Sequence, residues 1–120
     1  MCIRDSLRSI VRKITAKVLA EGLPKGTCLN VNFPKAAEFK GVKVCRMAKG
    51  TWGNEVVRAH HPRGYDYYWL VGEYTNDEPE ATDTDNWALN HGYVAITPTT
   101  IDVTDYAMLE RLKDSADEFC

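Results

Sequence analysis

A chain of 120 residues suffices for one domain that buries roughly two thirds of its unfolded surface, and it carries 15 basic against 17 acidic side chains. Hydrophobic residues at 44% and charged residues at 27% exclude a disordered or fibrous chain, and a net charge of -2 provides no basic field for a nucleic acid polymer or an anionic membrane. No apolar run approaches the roughly 18 residues that span a bilayer, and no apolar signal core follows the start, so the chain reads as cytoplasmic.

The first six residues, Met-Cys-Ile-Arg-Asp-Ser, match one reading frame through a transposon end used to make sequencing libraries. They are read as non-native and kept out of the fold, which leaves residues 7–120 as the later part of a longer protein. Over 7–21, Leu7, Ile10, Val11, Ile14 and Val18 repeat at the spacing of an amphipathic helix, with Arg8, Arg12, Lys13 and Lys17 on its wet side. Gly22 and Pro24 stop it.

Residues 27–33 alternate Leu29, Val31 and Phe33 against Cys28, Asn30 and Asn32, a period-two strand ending at Pro34. The asparagines either brace neighbouring loops or point into a site beyond the strand end. Residues 41–47 and 55–60 read as two strands joined by a turn over 48–53, whose two glycines suit a hairpin. The proline and glycine of His61-Pro62-Arg63-Gly64-Tyr65-Asp66 predict a second reversal, after which 67–74 continues as an aromatic strand and completes a three-stranded meander.

Residues 76–85 form an acidic loop containing Pro79. A one-turn helix follows that buries Trp87 and Leu89 and ends at Gly92, then a strand over 93–97 closed by Pro98. Thr104 or Asp105 caps a last helix from Tyr106, with Met108, Leu109 and Leu112 on one side. The four cysteines are far apart and form no Cys-x-x-Cys pair, which points to reduced, structural thiols.

Asp83, Asp85 and Asn86 are candidate oxygen ligands of a hard cation, but counting from Asp83 a calcium loop needs glycine where Ala88 stands and glutamate where Val94 stands. Capping by Asp83 or Asp85 explains them with fewer assumptions. His60 and His61 diverge to opposite faces of a strand, and His91 stands alone, so all three read as surface or capping residues. Arg46, Lys49, Arg58 and Arg63 fall in or near the meander, where they either converge on an anion or stay solvated. Tyr67 and Trp69 share one strand face and Tyr68 takes the other, as in a packed sheet; a sugar-binding aromatic surface would need several rings exposed together. On the residues alone the chain is α/β with no complete active site.

Three stretches in order carry a resemblance: Leu23-Pro24-Lys25-Gly26-Thr27-Cys28-Leu29-Asn30-Val31-Asn32-Phe33-Pro34, then Pro62-Arg63-Gly64-Tyr65-Asp66-Tyr67-Tyr68-Trp69, then Asp83-Thr84-Asp85 through Gly92-Tyr93-Val94-Ala95-Ile96-Thr97-Pro98. Together they resemble the SurE family of nucleotidases. The resemblance implies the C-terminal part of a Rossmann-like three-layer α/β/α fold with a β-hairpin or meander arm. It also implies a 5'-nucleotidase acting on nucleoside 5'-monophosphates with a divalent cation, Mg or Mn, and pairing into a homodimer or homotetramer by exchange of C-terminal elements.

The family's Asp-Asp pair, its metal-binding serine and asparagine and its glycine- and serine-rich phosphate loop do not occur here. No catalytic or metal residue is therefore assigned, and the chain alone is expected to be inactive. Asn32, Arg46 and Arg63, polar and near strand ends, are the candidates for a substrate-cleft wall. The competing expectation is a complete small non-catalytic interaction or dimerisation module.

Overall fold

The computed structural model describes residues 3–114. Cys2, Cys120 and the fraying expected at the C-terminal end lie outside these residues. Helix α1 spans Ile3–Glu21 and so begins before the expected Leu7, each further turn of a formed helix being cheap to add. Ile10, Ile14 and Val18 are half-buried, but Leu7 and Val11 of the expected apolar face are exposed, as Arg8, Arg12 and Lys13 are. No described helix is long and apolar enough to cross a membrane.

The central sheet contains β1 (Thr27–Asn32), β2 (Gly41–Val44) and β7 (Tyr93–Thr100) in the order β1-β7-β2. β1 runs antiparallel to β7, with Leu29 opposite Pro98 and Val31 opposite Ile96; β2 runs parallel to it, with Val42 opposite Val94 and Val44 opposite Ile96. Registered partners point to the same face. These apolar pairs therefore form one face, and Ile14, Val18 and Leu23 close a groove of about 270 Å3 over Leu29, Ile96 and Pro98.

The opposite face carries Tyr93 and Ala95. There α2 (Asp85–Asn90) packs, with Ala88 against Ala95 and Cys45 and with Leu89 and Tyr93 alongside. Helix, sheet and helix give the expected three layers. Cys45 is buried, and burial pushes its thiol above the ordinary value, as for a thiol that stays protonated and apolar.

Pro98 does not close β7, which continues to Thr100. The Cys45 N–H donates to the Ile96 carbonyl at 2.9 Å, so by alternation the Pro98 nitrogen faces the same side, past the last pair with β2. A residue without an N–H costs nothing there.

The expected three-stranded meander is instead a long bent hairpin. Segment 41–47 pairs with β7 and not with 55–60, and the presumed turn 48–53 contains a strand, β3 (Gly50–Gly53). β3 pairs antiparallel with β6 (Glu73–Asn76) at the base of the arm, while β4 (Val56–His61) pairs with β5 (Tyr65–Leu70) towards its tip. Segment 67–74 thus breaks at 71–72, opposite a bend where Asn54 has φ 51°. The Val71 N–H donates to the Glu55 carbonyl at 2.9 Å and holds the two halves across the bend. The tip reverses at 62–64 as expected, with Gly64 at φ 87° and its N–H on the His61 carbonyl at 2.9 Å.

Helix α3 (Tyr106–Asp114) is capped by Asp105, whose Oδ1 accepts the Met108 N–H at 2.9 Å. It has no buried residue.

Candidate functional site

The end of β2, the start of α2 and the base of the arm meet at Arg46. Its Nε and Nη2 donate to Asp83 Oδ2 and Oδ1 at 2.8 and 3.0 Å, a two-pronged pair, and Nη1 and Nη2 reach both oxygens of Glu78. The backbones lock too. The Arg46 N–H donates to the Asp83 carbonyl and the Asp85 N–H to the Arg46 carbonyl, at 3.1 and 2.9 Å. Glu78 also accepts the Lys49 N–H at 2.8 Å. One guanidinium thus clasps the acidic loop to the arm, and Glu78, paired with Arg46 and hydrogen-bonded by Lys49, is lowered from 4.5 to about 2. Asp83 is lowered by the same guanidinium.

A lowered carboxylate contributes stability that is complete above its unfolded pKa and disappears as pH falls through its folded one. The clasp of Glu78 is therefore expected to weaken between about pH 4.5 and about 2. Melting temperature followed from pH 5 to pH 2 should fall less steeply in Glu78→Gln than in the parent chain; identical slopes would remove Glu78 from the clasp.

Capping of α2 falls to Thr84, not to either flanking aspartate. Thr84 is fully buried, has extended backbone, accepts the Trp87 N–H at 3.2 Å and donates to the Ala81 carbonyl at 2.9 Å. Asp83 is occupied by Arg46, and Asp85 Oδ1 accepts the N–H groups of Ala48 and Asn86 at 2.9 and 2.7 Å. Gly92, at φ 85°, follows the C-cap His91, whose ring stacks on Trp87 at 3.8 Å and whose Nδ1–H donates to the Trp87 carbonyl at 2.8 Å.

The four cations do not converge on one anion. Arg46 is in the clasp, Arg58 pairs with Asp66, and Lys49 contributes its backbone. Asp66 is lowered by His60, at 2.9 Å, and by Arg58. Arg63 lies in the turn at the arm tip, where its N–H donates to His61 Nδ1 at 3.1 Å. Asn32 ends β1 opposite Ala95, and its side chain makes no hydrogen bond among the described residues. Asn30 stands opposite Thr97, and its side chain likewise makes no hydrogen bond among the described residues, so neither asparagine braces a loop there. Asn32, Arg46 and Arg63 thus occupy a strand end, a clasp and a hairpin tip, with no hydrogen bond joining any two of them.

The residues present do not fit a divalent cation. Arg46 holds both oxygens of Asp83 and both of Glu78, Asp85 Oδ1 already accepts two N–H groups, and no three His, Cys, Asp or Glu among the described residues are placed to share an ion.

One further feature extends the sequence reading and a second escaped it. His61, Tyr65, Tyr67 and Trp69 form a stripe on one face of the arm tip, with His61 stacked on Tyr65 at 4.5 Å and Tyr67 edge-on to Trp69 at 5.9 Å. Tyr65 and Trp69 remain more than half exposed. Between α2 and the arm base, a cavity of about 410 Å3 is lined by Met47, Trp52, Tyr74, Asp85, Asn86 and Leu89. Trp52 and Tyr74 are 22 positions apart, and only the β3–β6 register makes them partners.

The family model described as "Survival protein SurE" matches residues 4–54. Over 104 residues, 87% of this chain, it is 60% identical to the 5'-nucleotidase SurE of Phocaeicola vulgatus. The chain is similar to the SurE family. It is also 52% identical, over 85% of its length, to the 5'-nucleotidase SurE of Bacteroides thetaiotaomicron. The crystal structure of the SurE protein from Aquifex aeolicus superposes with a TM-score of 0.65 at 33% identity, covering 96% of this chain and 47% of that one. The fold is thus of SurE type, and the chain spans 40% and 39% of the two bacterial relatives' lengths.

Proposed function

We propose that this chain is the C-terminal part of a cytoplasmic, metal-dependent 5'-nucleotidase that hydrolyses nucleoside 5'-monophosphates to nucleoside and phosphate. The observation that carries the reading is the 60% identity to a 5'-nucleotidase over 87% of the chain. Because Asp83 and Glu78 are held by Arg46 and Asp85 by backbone N–H groups, the cation, Mg or Mn, belongs with residues this segment does not supply. The segment provides sheet strands, the arm and a cleft wall. Asn32 gives that wall an amide with no hydrogen bond among the described residues, Arg63 brings a cation on the arm tip, and Arg46 acts through the carboxylates it orders.

The open edge of the sheet supports a larger assembly. β2 is an edge strand and Val44 on it is 75% exposed, an apolar strand suited to further packing. The exposed rings of the arm tip and the apolar residues of α3 favour self-pairing as a homodimer or homotetramer. They equally support the second reading, a non-catalytic dimerisation module.

Phosphate release from nucleoside monophosphates in magnesium or manganese separates the two. The 120-residue chain should release none above blank, whereas a fusion to the preceding three fifths of the Phocaeicola vulgatus relative should turn over. Turnover by the chain alone would overturn the assignment of the cation elsewhere, and an inactive, well-folded fusion would favour the dimerisation module.

A further inference from the structure

The cavity between α2 and the base of the arm has two aromatic walls seated by glycines. A Cβ on Gly50 would stand 2.4 Å from the Tyr74 ring, and one on Gly72 would stand 2.9 Å from Trp52. The rings thus close in where a side chain would block them, and they meet at 5.5 Å and 52°. Trp52 is held at its edge yet stays 58% exposed, which leaves ring surface open to a ligand. The face of an indole carries the negative part of its quadrupole and attracts a cation.

The charge beside the rings has the same sign. Asp85 lines the cavity and forms no ion pair among the described residues. Its Oδ1 takes the N–H groups of Ala48 and Asn86, which fixes the carboxylate and leaves Oδ2 without a hydrogen bond among the described residues. In the clasp Arg46 is matched against two carboxylates and has no charge to spare for Asp85. The start of α2 offers none either, because Thr84 and Asp85 already take the Trp87 and Asn86 N–H groups. A fixed carboxylate between ring walls calls for a cation; an apolar chain would bury that charge unpaired, and an anion would be repelled by it.

Among cations the site favours a planar one. A guanidinium stacks flat on an indole while its N–H groups, lying in its own plane, reach a carboxylate, and it is only weakly hydrated. An ammonium is a strongly hydrated point charge and gives up more at a half-open ring. Asn86 Oδ1, positioned by Asn90 Nδ2 at 3.0 Å, keeps a second lone pair for another N–H of the same fork. We propose that this cavity binds the guanidinium of an arginine side chain carried by a partner polypeptide. The group stacks on Trp52, donates to Asp85 Oδ2 and Asn86 Oδ1, and lays its alkyl stem against the exposed Met47. Free arginine is the poorer occupant, because its own carboxylate would enter the field of Asp85 and the acidic loop. Such a site needs neither phosphate nor metal and does not depend on the nucleotidase reading.

The test uses N-acetylarginine amide, which presents the side chain as a polypeptide does, on the 120-residue chain. The indole N–H signals of Trp52, Trp69 and Trp87 are followed by NMR through the titration. The Trp52 signal should shift saturably while Trp69 and Trp87 stay still. N-acetyllysine amide and free arginine should each bind more weakly, and N-acetylglutamine amide should leave Trp52 unmoved. Asp85→Asn keeps Oδ1 for both backbone N–H groups and removes the charge, and it should weaken binding roughly threefold or more. Trp52→Leu, read by saturation transfer to the arginine amide, should weaken it roughly two- to fivefold. Where Trp52→Leu loosens the arm, Asp85→Asn decides. A Trp52 signal indifferent to the arginine amide, equal binding of the arginine and glutamine amides, or unchanged affinity in Asp85→Asn would overturn the proposal. Free arginine binding as tightly as the blocked form would overturn the polypeptide as its source. Sedimentation showing Trp52 covered by a second copy, in an association that Asp85→Asn leaves intact, would also overturn it.

Discussion

Ala95→Leu is expected to lower the unfolding free energy by about 1–3 kcal/mol, a large share of a small domain's stability. Ala95 is fully buried at the middle of β7, with Asn32 registered on one side and Lys43 on the other. Its side chain meets Ala88 and Cys45, all small, and this lets the short helix α2 approach the sheet closely. Three added carbons have nowhere to go unless α2 lifts away, and lifting it would pull Thr84 and Asp85 from the clasp. The urea midpoint of Ala95→Leu should fall clearly, while Leu70→Ala, at a residue 86% exposed on the arm, should stay within about 0.5 kcal/mol of the parent. An Ala95→Leu chain with the parent midpoint would show that α2 does not lie on this face.

The residues that made the layers legible are those whose pattern is local. Leu29 and Val31 alternate because one face of β1 meets α1, and Ile14 and Val18 recur at helical spacing because they close the other side of the same groove. Strand partners were a different matter. Val42 and Val44 fit any sheet with an apolar face, and nothing near them says that their ladder is with Val94 and Ile96, some fifty positions on. Gly50 and Gly53 carry the composition of a turn, yet Gly50 is there because Tyr74 comes close from another strand. Pro98 signalled a strand end correctly for the side facing β2 and wrongly for the side facing β1.

Much the same division holds at the candidate site. Thr84, Asp83 and Asp85 are all good helix caps, and the choice among them is made by Arg46, which occupies Asp83 from 37 positions away. Arg46 was legible as a cation near a strand end but not as a saturated one, since Glu78 and Asp83 reach it only after the acidic loop folds back. The pair formed by Trp52 and Tyr74 was not legible, because its signal is the pairing of β3 with β6.

That pairing sets the second large effect: Gly50→Ala is expected to detach the base of the arm. The added Cβ would lie 2.4 Å from Cζ and Oη of Tyr74 and 2.5 Å from the Thr75 carbonyl oxygen. The ring could swing aside, but the carbonyl is backbone, registered opposite Thr51 in the β3–β6 ladder, so it moves only if the ladder opens. Overpacking of this kind costs about 1–3 kcal/mol, and a two-stranded ribbon has little stability of its own to absorb it. Gly53→Ala ends the same strand with nothing within 4 Å of its Cβ and is the matched control. Limited proteolysis should therefore nick Gly50→Ala within residues 54–72 well before the parent or Gly53→Ala, and the Trp52–Tyr74 contact should vanish from its NMR spectrum. Equal proteolysis of the three chains would mean that Tyr74 and the Thr75 carbonyl do not approach Gly50 as described. The arm would then lose the fixed base on which both the Trp52–Tyr74 pair and the tip rings depend.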